Sequence, residues 1–102
     1  KEIDLTWPSK YSFNEYFEGQ VKSISFAGTD KPASVGVMEA GDYEFGTAAP
    51  EVMQVISGAL TVMLPGESEW QTFNAGEQFS VIGDAKFQVK VATQTAYLCI
   101  YG

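Results

Sequence analysis

The sequence predicts an all-β fold: one small barrel of the jelly-roll type with about eight or nine antiparallel strands. Three observations predict it. Short runs of β-forming residues recur from Val21 onward, turn residues separate them at intervals of about eight to twelve, and no helical periodicity interrupts the series. The chain has 102 residues, enough for one core, and a domain of this size buries roughly 60 to 70% of the surface its unfolded form exposes. Hydrophobic residues at 45% and aromatic residues at 14% supply that core and favour pleated, half-buried surfaces.

The elements follow in order. Ile24 and Phe26 lead into the turn Gly28-Thr29-Asp30-Lys31-Pro32. Ala33 to Glu39 alternates Val35 and Val37 with Ser34, Gly36 and Met38, and after Ala40-Gly41-Asp42 the run Tyr43, Phe45, Thr47 forms one face and Glu44, Gly46 the other. Pro50 breaks the next connection. Glu51 to Ile56 reads as one arm of a hairpin, with Ser57-Gly58 as its tight turn and Leu60, Val62, Leu64 on the second arm. Pro65 to Glu69 is a loop, Trp70 to Phe73 a short strand, and Asn74 to Glu77 another turn. Phe79 and Val81, then Phe87, Val89 and Val91, then Tyr97, Cys99 and Tyr101 supply the last three alternating segments. The first twenty residues carry Trp7, Tyr11, Phe13, Tyr16 and Phe17 without clean alternation, and read as a segment that wraps the barrel or covers a partner chain.

Charge excludes whole classes of function. Thirteen acidic residues against six basic ones give a formal charge of −7, and every one of the six is lysine. Nucleic-acid binding is disfavoured, because gripping phosphates calls for a basic stripe and bidentate guanidinium groups. A single cysteine, Cys99, forbids an internal disulfide, and its neighbours Tyr97, Leu98, Ile100 and Tyr101 read as a strand that buries an inert thiol. No apolar run approaches the roughly 18 residues of a membrane span, and Lys1 to Ser9 lacks a signal-peptide core. The expected setting is soluble and cytoplasmic.

Histidine is absent altogether. A Ser-His-Asp triad, a Cys-His pair and the common histidine-bearing metal sites are therefore unavailable, and no G-x-x-x-x-G-K-[ST] phosphate loop occurs. The spacing of Glu51 and Gly58, followed by Gly76 and the Ile82-Gly83 turn, resembles the paired motifs of the cupins, in which two histidines and a glutamate, then a further histidine, hold a metal. Here the histidine positions fall on Phe45, Thr47 and Phe87, leaving Glu51 alone. One carboxylate among apolar neighbours is no metal site, so a cupin-like barrel without metal is expected.

The sequence also resembles a narrower group, the small cupin-type pyrimidine/purine nucleoside phosphorylases. The match runs through Asn14-Glu15-Tyr16-Phe17, Val21-Lys22-Ser23-Ile24, Ala33-Ser34-Val35-Gly36-Val37-Met38, Tyr43 and Phe45 with Thr47, Pro50-Glu51, Val55-Ile56-Ser57-Gly58-Ala59-Leu60, Leu64-Pro65, Trp70 and Tyr97-Leu98-Cys99. It implies a domain over 14–102 and an N-terminal extension over 1–13. Where the family pattern often carries arginine, before Ala33 and after Cys99, this chain has Pro32 and Ile100.

The resemblance implies phosphorolysis without metal or other cofactor: a purine or pyrimidine nucleoside and inorganic phosphate give the free base and ribose 1-phosphate. Such chemistry needs an anion held beneath C1′, support for oxocarbenium-like charge, and a hydrogen-bonded leaving base. Lys22, Lys31 and Ser34 are the candidates for phosphate. Glu51 is the candidate for the ribose hydroxyls or the cationic transition state, with Thr47 beside it, while Phe45, Phe87, Tyr97 and Tyr101 are candidates for stacking on the base. Two other readings stand beside this one. The chain is otherwise a metal-free module that binds a nucleoside or sugar without turnover, or a structural dimer. A homodimer is expected in any case, from the aromatic N-terminal stretch and the dimeric habit of cupins.

Overall fold

The computed structural model describes residues 11–102, which form ten strands: β1 (Tyr11–Tyr16), β2 (Val21–Phe26), β3 (Ala33–Met38), β4 (Gly41–Thr47), β5 (Glu51–Ser57), β6 (Ala59–Met63), β7 (Gln71–Asn74), β8 (Gln78–Val81), β9 (Ala85–Val91) and β10 (Thr95–Tyr101). Six join in the order β1-β2-β3-β10-β5-β8 and four in the order β4-β9-β6-β7, every neighbouring pair antiparallel. From β3 onward the chain changes sheet at every connection except β6 to β7. This is jelly-roll winding, and the two sheets face one another as an open sandwich rather than closing into a ring.

Alternation sets the core. Val21, Met38, Tyr43, Met53, Val55, Leu60, Val62, Phe79, Val81, Phe87, Val89, Val91, Tyr97 and Cys99 turn inward from both sheets into one cluster, as a period of two requires once one face of each strand is buried. The tenth strand is β1. Its polar Asn14 faces inward and bonds Ser25 Oγ at 2.9 Å, while Phe13 on the opposite face is exposed. That inverts the usual apolar-in, polar-out pattern, which is why the aromatic stretch does not read as a strand.

The hairpin expected at Ser57-Gly58 is not formed: β5 and β6 lie in different sheets. Gly58 turns the corner with φ of +91°, and a Cβ there would collide with Thr95 Oγ1. Thr95 holds the corner by accepting from Ala59 N–H at 3.2 Å and lying 3.1 Å from the Ala59 carbonyl. Most of the segment read as an extension, residues 1–10, lies outside the described residues, and Tyr11 to Phe13 begin β1. No helix among the described residues is long and apolar enough to cross a membrane.

Candidate active site

Between the sheets lies a cavity of about 500 Å³, within the range of small-molecule sites. The four-stranded sheet gives it an aromatic wall. The register sets Phe45 of β4 opposite Phe87 of β9, with ring centroids 5.8 Å apart, and in the core behind them Phe87 meets Phe79 of β8, from the other sheet, at 6.3 Å. Phe17 extends the wall from the turn after β1, at 5.0 Å from Tyr43 and 5.5 Å from Phe45. It does so from a left-handed turn: Phe17, Glu18 and Gly19 have φ of 54°, 58° and 87°, closed by Gly19 N–H donating to Tyr16 O at 3.2 Å. A non-glycine residue in that region costs about 1–2 kcal/mol, which the ring contacts offset.

The six-stranded sheet gives the opposite wall its polar atoms. Ser23 of β2, Glu51 of β5, and Tyr97, Cys99 and Tyr101 of β10 all line the cavity. Tyr97 crosses Gly36 of β3, where a Cβ would meet its hydroxyl at 2.6 Å, so only glycine leaves room for it. Tyr101 Oη and Ser34 Oγ share a hydrogen bond of 2.7 Å, and Cys99 Sγ–H donates to Glu51 Oε1 at 3.5 Å.

Burial governs the protonation of this wall. It pushes Tyr97 up to about 12, helped by the neighbouring Cys99 and Glu51 and opposed by a hydrogen bond from Ser23. It pushes the Cys99 thiol up to about 12 as well, and Tyr101 upward. These groups are protonated donors at neutral pH. Glu51, half-buried, is raised above the ordinary carboxylate range by desolvation, while the Cys99 thiol pulls it part of the way back. The cavity therefore presents aromatic faces, neutral hydroxyls, a thiol and the carboxylates Glu44 and Glu51, and none of the described residues that line it is a lysine.

The family model for pyrimidine/purine nucleoside phosphorylase matches residues 11–101. The chain belongs to that family. A Shewanella pealeana protein named pyrimidine/purine nucleoside phosphorylase is 92% identical over 87% of this chain and 96% of its own length. Among solved structures, a Vibrio parahaemolyticus protein of unknown function superposes with a TM-score of 0.88 at 47% identity, covering 92% of this chain and all of that one. An RmlC-like cupin from Shewanella frigidimarina, 16% identical, reaches a TM-score of 0.70 over 98% of this chain and 90% of its own. The fold of this nucleoside phosphorylase family member is that of the cupins.

The structure brings Glu51, Phe45, Phe87, Tyr97 and Tyr101 together around the cavity. Ser34 reaches it only through its bond to Tyr101. Thr47 does not line it. Its hydroxyl donates to Ile82 O at 2.7 Å and accepts from Ala85 N–H at 3.1 Å, anchoring the turn between β8 and β9. Lys22 alternates with the buried Val21 and Ser23 and so stands on the outer face of β2. Lys31 donates to Gly102 O at 2.9 Å and lines an adjoining depression that it shares with Glu51, Pro50 and Ile82.

The cupin metal does not fit. Phe45 and Phe87, at two of the ligand positions, are packed ring on ring, and Thr47 at the third is committed to backbone partners. Sequence reasoning missed Phe17 and Ser23 as cavity residues and gave Cys99 no part in the site. Alternation carried a signal for Ser23 and Cys99, since both share a face with core residues; nothing local signalled the left-handed turn under Phe17.

Proposed function

We propose that this chain catalyses phosphorolysis of nucleosides across the purine and pyrimidine range. The bond from C1′ to the base nitrogen breaks, the base leaves with the electron pair and takes up a proton, and a phosphate oxygen bonds C1′ to give ribose 1-phosphate. The observation that carries this reading is the two-sided cavity: a wall of aromatic rings faces a wall holding one inward carboxylate among neutral donors. Rings stack on any base because every base has a π-face, which suits broad tolerance. Glu51 as carboxylate supports positive charge developing on the ribose, in a site where half-burial strengthens the interaction. For phosphate we assign Lys31, the lysine that borders Glu51, with the hydroxyls of Tyr101 and Ser34 behind the carboxylate.

The test is base release from several purine and pyrimidine nucleosides, with phosphorus NMR to identify the sugar phosphate. Release that requires phosphate and yields ribose 1-phosphate is expected. Nucleoside binding with no release at any phosphate concentration would make the chain a binding module instead.

We further propose a homodimer formed through the outer face of the six-stranded sheet. Register lines up Phe13, Ile24, Val35 and Leu98 across four strands, with Phe26, Val37 and Ile100 beside them. Several of these are exposed, and so continuous an apolar face favours a protein partner. Light scattering at micromolar concentration is expected to give twice the chain mass, and a monomer would contradict the proposal. The free thiol of Cys99 suits a cytoplasmic location, which cell fractionation checks.

A further inference from the structure

Glu51 is a half-buried carboxylate, and among the described residues its one side-chain hydrogen-bond partner is a thiol. Carboxylates in such places usually recruit an amide, a hydroxyl or a cation, which donate more strongly than sulfur. Cys99 is the only cysteine, it is 2% exposed, and phosphorolysis as proposed gives it no covalent step. Burial keeps its proton in place at neutral pH, so it donates rather than attacks.

The thiol is also backed from behind. The Tyr101 hydroxyl neighbours the Cys99 sulfur and bonds Ser34 Oγ at 2.7 Å. The strand register pairs Cys99 with Ser34 across β3 and Tyr101 with Glu51 across β5. Four polar side chains thus form a line across three neighbouring strands, ending at the carboxylate. Packing alone would be served by alanine or valine at position 99, neither of which donates.

We propose that Cys99 is a positioning residue: its S–H, backed by Tyr101 and Ser34, fixes one oxygen of Glu51 and leaves the other turned to the ribose. The consequence for catalysis rests on the phosphorylase reading, whereas the thiol–carboxylate contact does not. The titratable and charged groups around Glu51 are Tyr97, Cys99 and Tyr101 on β10, Tyr16 on β1, Glu44 on β4 across the cavity, and Lys31 at the end of the sheet. Of these, Cys99 is the one that hydrogen-bonds the carboxylate and favours its charged form.

The experiment titrates the Glu51 carboxyl by carbon-13 NMR in the wild-type protein, Cys99→Ala and Cys99→Ser, and records the pH profile of kcat in each. Loss of the donor in Cys99→Ala is expected to move both the Glu51 midpoint and the acid limb of kcat to higher pH. Cys99→Ser keeps a donor and is expected to return both toward the wild-type position. If Cys99→Ala fails to fold, Cys99→Val fills the space of the thiol without donating and carries the same expectation. An unchanged Glu51 midpoint in the donor-less variant overturns the positioning role, whatever the activity. A wild-type protein without phosphorolysis overturns the functional reading instead, and the NMR midpoint still decides the role of Cys99.

Discussion

The two walls of the cavity are built from the same strand geometry and differ in kind. On β4 and β9 the inward positions carry rings, which attract a flat ligand without fixing its hydrogen bonds. On β5 and β10 the inward positions carry a carboxylate, a thiol and two phenols, linked through Ser34 to the adjacent β3 and through Ser23 to β2 beyond it. One wall is tolerant and the other directional. On the phosphorolysis reading proposed above, the difference separates binding from chemistry: the aromatic wall holds the base, and the polar wall acts at C1′.

Changes to the aromatic wall should have the largest effects. Phe87 is 1% exposed and packs between Phe45 and Phe79, so Phe87→Ala is expected to lose about 3–5 kcal/mol of stability, read by urea denaturation. A loss below about 1 kcal/mol would mean that the ring is no part of the core. Phe45 is only partly buried, so Phe45→Ala sharpens the comparison. It should raise the KM for purine and pyrimidine nucleosides alike by roughly 10-fold, the worth of one base–aromatic stack, with kcat little changed. A selective loss for purines would show that the wall discriminates.

Lysine substitutions should do less. Lys31 borders Glu51 and Lys22 stands on the far face of the sheet, so Lys31→Gln is expected to raise the KM for phosphate by roughly 2- to 5-fold, as for an exposed charge contact. Lys22→Gln should raise it less. The reverse order in initial-rate measurements would move the anion to the outer face.

The smallest effect concerns the cost of keeping Glu51 charged. Desolvation places its folded-state pKa above the unfolded value, so the native state favours the protonated form. That contribution is full below the ordinary glutamate value, about 4.3, and is lost as pH rises through the raised one. Glu51→Gln carries no charge, so its Tm should match the wild type at acid pH and exceed it modestly at pH near 7. A lower Tm at neutral pH would show that the carboxylate is a stabilising group and not a strained functional one.

How far the sequence reaches follows from where each determinant sits. Strands with regular alternation, such as Val35 and Val37 against Ser34 and Met38, read correctly as strands, and the face shared by Tyr43, Phe45 and Thr47 is real. Which face meets the core is another matter. On β3 it is Ser34, Gly36 and Met38 that turn inward, with the valines outside, because that sheet keeps an apolar outer surface. The Gly58 corner is decided by Thr95, 36 residues from Ala59, and no local rule distinguishes it from a hairpin turn. Thr47 and Glu51 are neighbours in sequence, yet Thr47 is consumed by a backbone turn while Glu51 reaches the cavity. The place of the carboxylate was legible from spacing and the inward face of Cys99 from alternation, but the hydrogen bond between them was not, since buried cysteines seldom do more than fill space.

The separation of the two walls is tested most directly by measuring single-turnover rate and nucleoside affinity for Glu51→Gln. If the carboxylate acts on the transition state, removing its charge should cut the rate by roughly 30- to 1000-fold, equivalent to about 2–4 kcal/mol, while the nucleoside dissociation constant moves by less than about 3-fold. A wild-type rate with weakened binding would contradict the account and make both walls binding surfaces.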